Sequence, residues 1–241
     1  MSSDDWFVGF HEGLVARFWR AAGEAMADGD ARLVLELLGP RPLRVLDMPC
    51  GNGRITARLA AAGHAAVGVD IATAEVEVAR AAVPGARFEV GDLRSPPDLG
   101  AFDAVVSWGN SFGYLCPEES AASLARFCDA LRPGGRLVLE WLTVAESFLP
   151  GGIEQRAEYE FGGIRMLSVN AYRPAESRLE SELTLTEGDL VEHARSIHHV
   201  HTTGEVLRML RGAGFREIDL LSAPGVPYEL GAPRMIAVAM R

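Results

Sequence analysis

The sequence predicts an α/β fold: a doubly wound, mostly parallel seven-stranded sheet, with an antiparallel β insertion between the fifth strand and the following helix and an N-terminal helical lid. Three observations predict it. From Arg44 onward, short apolar runs alternate with helical periodicity, which implies parallel strands joined by right-handed crossovers with helices on both faces. The first run ends in a glycine-containing turn, DMPCGNGR at residues 47 to 54. Residues 153 to 201 then break the alternation with four consecutive strand-like runs. With 241 residues and 48% apolar content, the chain can bury one large core or one core with an insertion.

Residues 5 to 38 carry two helical patterns, and Phe7, Phe10, Leu14 and Phe18 follow the three-and-four spacing of one helix face. The stripe reads as core, with enough aromatic surface left to close over a neighbouring site. The first strand is expected at 44 to 48, before a turn in which Gly51 and Gly53 allow a ligand to lie directly on the main chain. The dinucleotide fingerprint would need a third glycine where this chain has Thr56, which weakens an NAD reading. A helix at 54 to 62 leads to a strand at 65 to 70 that ends in Asp70, placed to accept hydrogen bonds from a ribose diol. Cys50 reads as a small side chain filling the turn.

A helix at 73 to 82 is followed by a third strand at 86 to 91, ending in Gly91-Asp92-Leu93. Asp92 either caps the next turn or meets an adenine edge. The fourth strand, 102 to 108, runs into WGNSFGY, where two glycines, an amide and three aromatics crowd into seven residues. Asn110 and Ser111 offer hydrogen bonds there, and Phe112 and Tyr114 offer apolar walls or pack beneath the next helix. A helix at 118 to 131 precedes a fifth strand at 136 to 142. Glu140 interrupts its apolar run, and so either faces a cavity or is paired, an Arg being the natural partner.

The four insertion strands are expected at 153 to 161, 164 to 172, 178 to 186 and 190 to 200, either roofing the pocket or mediating contact between copies. In IHHVHTT, regular alternation places His193, His199 and His201 on one face and His198 on the other. A metal site is disfavoured, because adjacent strand positions seldom converge on one ion. General-base service by His199 is the better reading, since imidazole takes a proton near neutral pH. A helix at 202 to 212 and two strands, 216 to 222 and 234 to 240, complete the chain.

DMPCGNGR, then GVD, GDL, WGNSFGYL and LRPGG resemble, in order and spacing, the successive motifs of the class I, Rossmann-like S-adenosylmethionine-dependent methyltransferases. The likeness is strongest to a bacterial small-molecule subgroup similar to amino-sugar and glycine N-methyltransferases, and it covers the chain from about Trp6. It implies S-adenosylmethionine as cofactor, held by Phe10, Trp19, Asp47, Cys50, Gly51, Gly53, Arg54, Asp70, Ile71, Asp92, Leu93, Trp108 and Gly109. It also implies a substrate wall of His11, Asn110, Ser111, Phe112 and Tyr114, with Glu140 and His199 as catalytic candidates. The expected units are a lid at 1–40, a core at 41–150 and 202–241, and the insertion at 151–201. The expected activity is methyl transfer to an N, O or C nucleophile of a small molecule; the alternative is a fold-mate that binds the cofactor without methylating, as a cyclase or scaffold. The subgroup usually has an Arg and a Tyr near residues 193 to 201, and this chain departs from that pattern.

Composition narrows the partners. The net charge is -10 and all 23 basic residues are Arg, which disfavours nucleic acid and removes lysine-based Schiff-base and P-loop chemistry. No run approaches the roughly 18 apolar residues of a membrane span, and no basic segment precedes an apolar one at the N-terminus. Three widely spaced cysteines read as free thiols. The expectation is a cytoplasmic monomer or homodimer without a metal.

Overall fold

The computed structural model describes residues 6–241, so the first five residues of the expected lid lie outside the described residues. Trp6–Val8 form a short 3-10 turn, and Gly13–Leu38 form one helix, α1, of 26 residues where the sequence reads as two patterns. Gly23 and Gly29 weaken the periodicity midway, but packing at both halves carries the helix through them. Phe10, just before the helix, together with Leu14, Val15 and Phe18 from its first half, buries against the inserted sheet. Its second half buries Ala31, Val34 and Leu38 against the central sheet. The first turn is held from far away in sequence: the Leu14 amide donates to the Glu192 carboxylate at 2.7 Å.

The parallel strands are β1 (Arg44–Asp47), β2 (Ala65–Asp70), β3 (Arg87–Val90), β4 (Phe102–Ser107) and β5 (Leu131–Trp141). Helices α2 (Arg54–Ala61), α3 (Thr73–Ala82) and α4 (Pro117–Ala130) form their crossovers. After a single turn, α5 (Ala145–Phe148), come the insertion strands β6 (Arg156–Phe161), β7 (Ile164–Arg173), β8 (Arg178–Glu187) and β9 (Leu190–His199). Helix α6 (Thr203–Gly212) then leads to β10 (Ile218–Ala223), β11 (Val226–Pro227) and β12 (Met235–Met240).

The central sheet has eight strands, not seven, in the order β11-β10-β12-β5-β4-β1-β2-β3, because Val226–Pro227 pair onto the outer edge of β10. The insertion is a separate four-stranded antiparallel sheet, β6-β7-β8-β9. Alternation along the strands divides the core into two faces. Leu46, Val105, Leu137 and Leu139 meet α4 and α6, while Val45, Ala104, Val106 and Val138 meet α1 and α2. The strand order reverses between β1 and β4, which opens a crevice at their carboxyl ends. Among the described residues no helix is long and apolar enough to cross a membrane.

Phe18 is 1% exposed between α1 and the inserted sheet. Replacing it, Phe18→Ala, is expected to cost about 3–5 kcal/mol of unfolding free energy, read from the urea midpoint at constant slope.

Candidate active site

A cavity of about 320 Å³ occupies the crevice at the strand-order reversal. Its walls come from the β1–α2 turn, the end of β2, the loop after β4, β5, α1 and β9. Gly51 and Gly53 both have positive φ, +53° and +80°, but they serve different ends. A Cβ at Gly51 would meet no atom within 4 Å, so that face of the main chain is open to an occupant. A Cβ at Gly53 would stand 2.9 Å from the Phe88 ring, so this glycine lets α2 pack closely on β3 rather than admitting a ligand.

Asp70 closes the turn. Its Oδ2 accepts from the Gly51 amide at 2.7 Å and its Oδ1 from the Ala72 amide at 2.9 Å. Burial raises its pKa, and the two amides and His11 oppose the rise. Asp47 does not reach the cavity. It is 1% exposed, accepts from Thr56 Oγ1 at 2.6 Å, and is pushed up to about 7 by burial. The cofactor role expected for Asp47 is therefore corrected to support of the turn from behind. Cys50 lines the cavity as a protonated thiol, its pKa raised by burial and by Asp47 and Asp70.

Ile71, Asp92 and Leu93 lie beside the cavity, off its wall. Asp92 caps its own turn through the Arg94 amide at 2.8 Å and pairs with the Arg94 guanidinium at 2.7 Å. Burial pushes the Asp92 carboxyl up, but these bonds hold it below the usual carboxylate range. Leu93 and Ile71 pack on the main core.

A chain of charges runs along the opposite wall. Arg54 Nη1 meets Asp30 Oδ2 at 2.8 Å, and Arg234 Nη1 meets Asp30 Oδ1 at 3.4 Å and Glu140 Oε1 at 2.8 Å. Glu140 Oε2 in turn accepts from the Gly109 amide at 3.0 Å. Burial pushes Glu140 up to about 7 against the pull of Arg234. Glu140 is thus an ion-pair partner that positions the Trp108-Gly109 bend rather than a free acid. Asp30 and Arg234 escaped the sequence reading, although Asp30 left a trace: an acid on the helix face of Ala27, Ala31 and Val34 must be paired.

Trp108 lines the cavity with its Nε1 buried and unpartnered. Asn110 takes a left-handed φ of +67°, and its Oδ1 accepts from the Leu142 and Thr143 amides at 2.8 and 3.2 Å, tying the loop to the end of β5. Phe112 turns away from the cavity; it is fully buried against Phe127 and Trp141, so of these two aromatics Tyr114 lines the space. Tyr114 stacks on Phe7 with 6.0 Å between centroids, and burial pushes its hydroxyl up to about 12. Phe10, Trp19, His11 and Ser111 all line the space.

The histidine assignment is corrected. His198, not His199, lines the cavity; its ring lies 5.1 Å from that of Tyr114, and burial pushes it down to about 4. His199 pairs in register with Arg178 off the cavity wall, His193 meets Thr184 Oγ1 at 3.2 Å, and His201 lies behind, 5.0 Å from the Trp141 ring. The strand ends at His199, so strict alternation no longer places His201. Sequence reasoning also missed Arg20, Glu75 and Ser196, which α1, α3 and β9 bring to the same space.

Residues 45–135 match the family model of a methyltransferase domain. A demethylmenaquinone methyltransferase of Beutenbergia cavernae is 36% identical over 153 residues, which is 61% of this chain and 60% of that relative. The dTDP-3-amino-3,4,6-trideoxy-alpha-D-glucopyranose N,N-dimethyltransferase of Streptomyces venezuelae is 28% identical over 162 residues, 66% of this chain and 68% of that one. An amino pentose methyltransferase from Micromonospora echinaspora, solved with S-adenosylmethionine bound, superposes with a TM-score of 0.71 at 22% identity, covering 95% of this chain and 97% of that one. Residues 45–135 are thus matched as a methyltransferase domain, and these relatives support a class I, Rossmann-like S-adenosylmethionine-dependent methyltransferase.

Removing the centre of the buried charge chain, Asp30→Ala, leaves Arg54 and Arg234 short of a partner and should cost about 3–5 kcal/mol, read from urea unfolding. A second expectation concerns pH. Asp47 keeps its proton to about pH 7 when folded, whereas an unfolded carboxyl ionises near pH 4. The folded state binds more protons between those values, so the contribution of Asp47 is complete at low pH and is lost as pH rises through about 7. The buried histidines act in the opposite sense, below their ordinary value of 6.5. Stability should therefore fall between about pH 6.5 and 8, and Asp47→Asn should make that fall shallower.

Proposed function

We propose that this S-adenosylmethionine-dependent methyltransferase moves a methyl group to an amine nitrogen of a small molecule, with the adenosyl half seated on the Gly51 turn and the acceptor at the Tyr114–His198 end. The reading rests on one observation. A single cavity has an open main-chain glycine and the Asp70 carboxylate at one end, and aromatic and neutral hydrogen-bonding groups at the other. The amine preference draws on the dimethyltransferase and amino pentose relatives, whose names specify amino-sugar acceptors.

The residues fit the cofactor. Gly51 has room for a ligand against its main chain, and Asp70 keeps lone pairs for ribose hydroxyls after accepting two amides. We assign Ile71, Asp92 and Leu93 to the adenine side, reached after Arg94 shifts on Asp92, and Trp108 and Gly109 to the floor beneath the sulfonium. When bound, the cofactor supplies a methyl group already activated by the positive sulfur. The protein's task is then alignment and exclusion of water.

Alignment falls to the loop after β4. Glu140 fixes Gly109, Asn110 is clamped to residues 142–143, and both hold the bend against the sheet. Exclusion of water falls to α1, the segment just before it and β9, which bring Trp19, Phe10 and His198 over the crevice. Positioning of this kind supplies roughly 7–11 kcal/mol of a barrier. A neutral amine needs no proton removed before attack, so the neutral side chains His11, Tyr114 and His198 at the acceptor end suit nitrogen as nucleophile.

S-adenosylhomocysteine at a hundred times its dissociation constant should stabilise the protein by about 2.7 kcal/mol in a thermal-shift assay, while NAD at the same concentration should not. Asp70→Asn should weaken binding of S-adenosylhomocysteine by about tenfold or more, equivalent to about 1.4 kcal/mol. Methyl-labelled S-adenosylmethionine incubated with an amine panel should label a product. Binding without label in any product would favour a non-methylating fold-mate.

A further inference from the structure

Resting on the reading above, we propose that the acceptor subsite is built for an uncharged molecule presenting a neutral amine to His198, and that it does not take a nucleotide diphosphate-linked one. The first argument is that among the described residues every arginine on the cavity wall is paired. Arg20 meets Glu75 at 3.3 Å, Arg54 meets Asp30 at 2.8 Å, and Arg234 meets Glu140 at 2.8 Å. The chain has no lysine to add. Four acids, Asp30, Asp70, Glu75 and Glu140, line the cavity with these three arginines. A diphosphate entering it would be desolvated beside carboxylates with no unpaired guanidinium to meet it, which is costly. A sulfonium, by contrast, is welcomed by the same excess of acid.

The second argument is the chemistry of the acceptor end. His11, Ser111, Tyr114, Ser196 and His198 line it, and none carries a formal charge at neutral pH: burial lowers both imidazoles and raises the phenol. His198 Nδ1 is sealed from solvent without a partner, and its Nε2 has no protein partner among the described residues, which leaves Nε2 as the nitrogen an occupant can reach. A neutral imidazole nitrogen accepts one N–H of an amine while the amine's lone pair stays free to attack. Attack forms the N–C bond as the C–S bond breaks with its electron pair on sulfur, and the resulting ammonium loses its extra proton to water at the cavity mouth. The Tyr114 ring, against His198, keeps the imidazole in place.

Two titrations on the S-adenosylhomocysteine-binding protein test this. Calorimetry with dTDP on protein saturated with S-adenosylhomocysteine should give no heat of binding up to millimolar concentration; a micromolar dissociation constant would overturn the proposal. Sinefungin carries an amine where the transferable methyl stands. The preference for sinefungin over S-adenosylhomocysteine should fall about tenfold in His198→Leu and be partly restored in His198→Gln, which keeps an acceptor oxygen. An unchanged preference in both variants would remove His198 from the acceptor site. Failure of the wild-type chain to bind S-adenosylhomocysteine would instead sink the underlying functional reading.

Discussion

The buried charge chain from Arg54 through Asp30 and Arg234 to Glu140 is the constraint on which the site depends. It joins α2, α1, the start of β12 and β5, elements far apart in sequence, and it ends on the Gly109 amide in the loop after β4. Each charge is mostly removed from water, so each needs its partner, and the partners' positions follow. Such a chain adds little net stability over an apolar packing of the same volume. Its value is geometric, because a misplaced α1 would strand two arginines.

Helix α1 accordingly does two jobs along one axis. Its second half is an ordinary covering helix of the central sheet, and its first half carries the inserted sheet through Phe18 and its neighbours. The acid that joins the charge chain sits in the half that covers the sheet, and the aromatics that roof the crevice sit at the other end. Packing of the inserted sheet, order at the roof and closure of the cavity are therefore coupled through one rigid element. Glu192 of β9 caps that helix, so the strand that delivers His198 also fixes where the helix begins.

Much of the site was legible because it is local. Gly51, Asp70, Trp108 and Tyr114 all lie at a strand's carboxyl end or in the loop that follows it, and the periodicity that locates the strand locates them too. Gly53 was legible as a glycine but not in purpose, because the Phe88 ring that demands it arrives from β3. His198 and Phe112 were misread for a related reason. Neighbours in a strand or a short turn point opposite ways, and only the surface packed against them decides which side is the cavity.

The sequence alone determined the order of strands and helices, the glycine turn with its acid partner, and the resemblance to a methyltransferase family. These rest on interactions between residues close along the chain, whose types and spacing are enough to specify them. Tertiary structure alone decided that α1 is unbroken, that Arg234 and Asp30 line the cavity, that Glu140 is paired, and that His198 rather than His199 lines it. Each depends on a partner dozens of residues or more away, and long-range pairing in a low-dielectric interior leaves no periodic mark in the sequence.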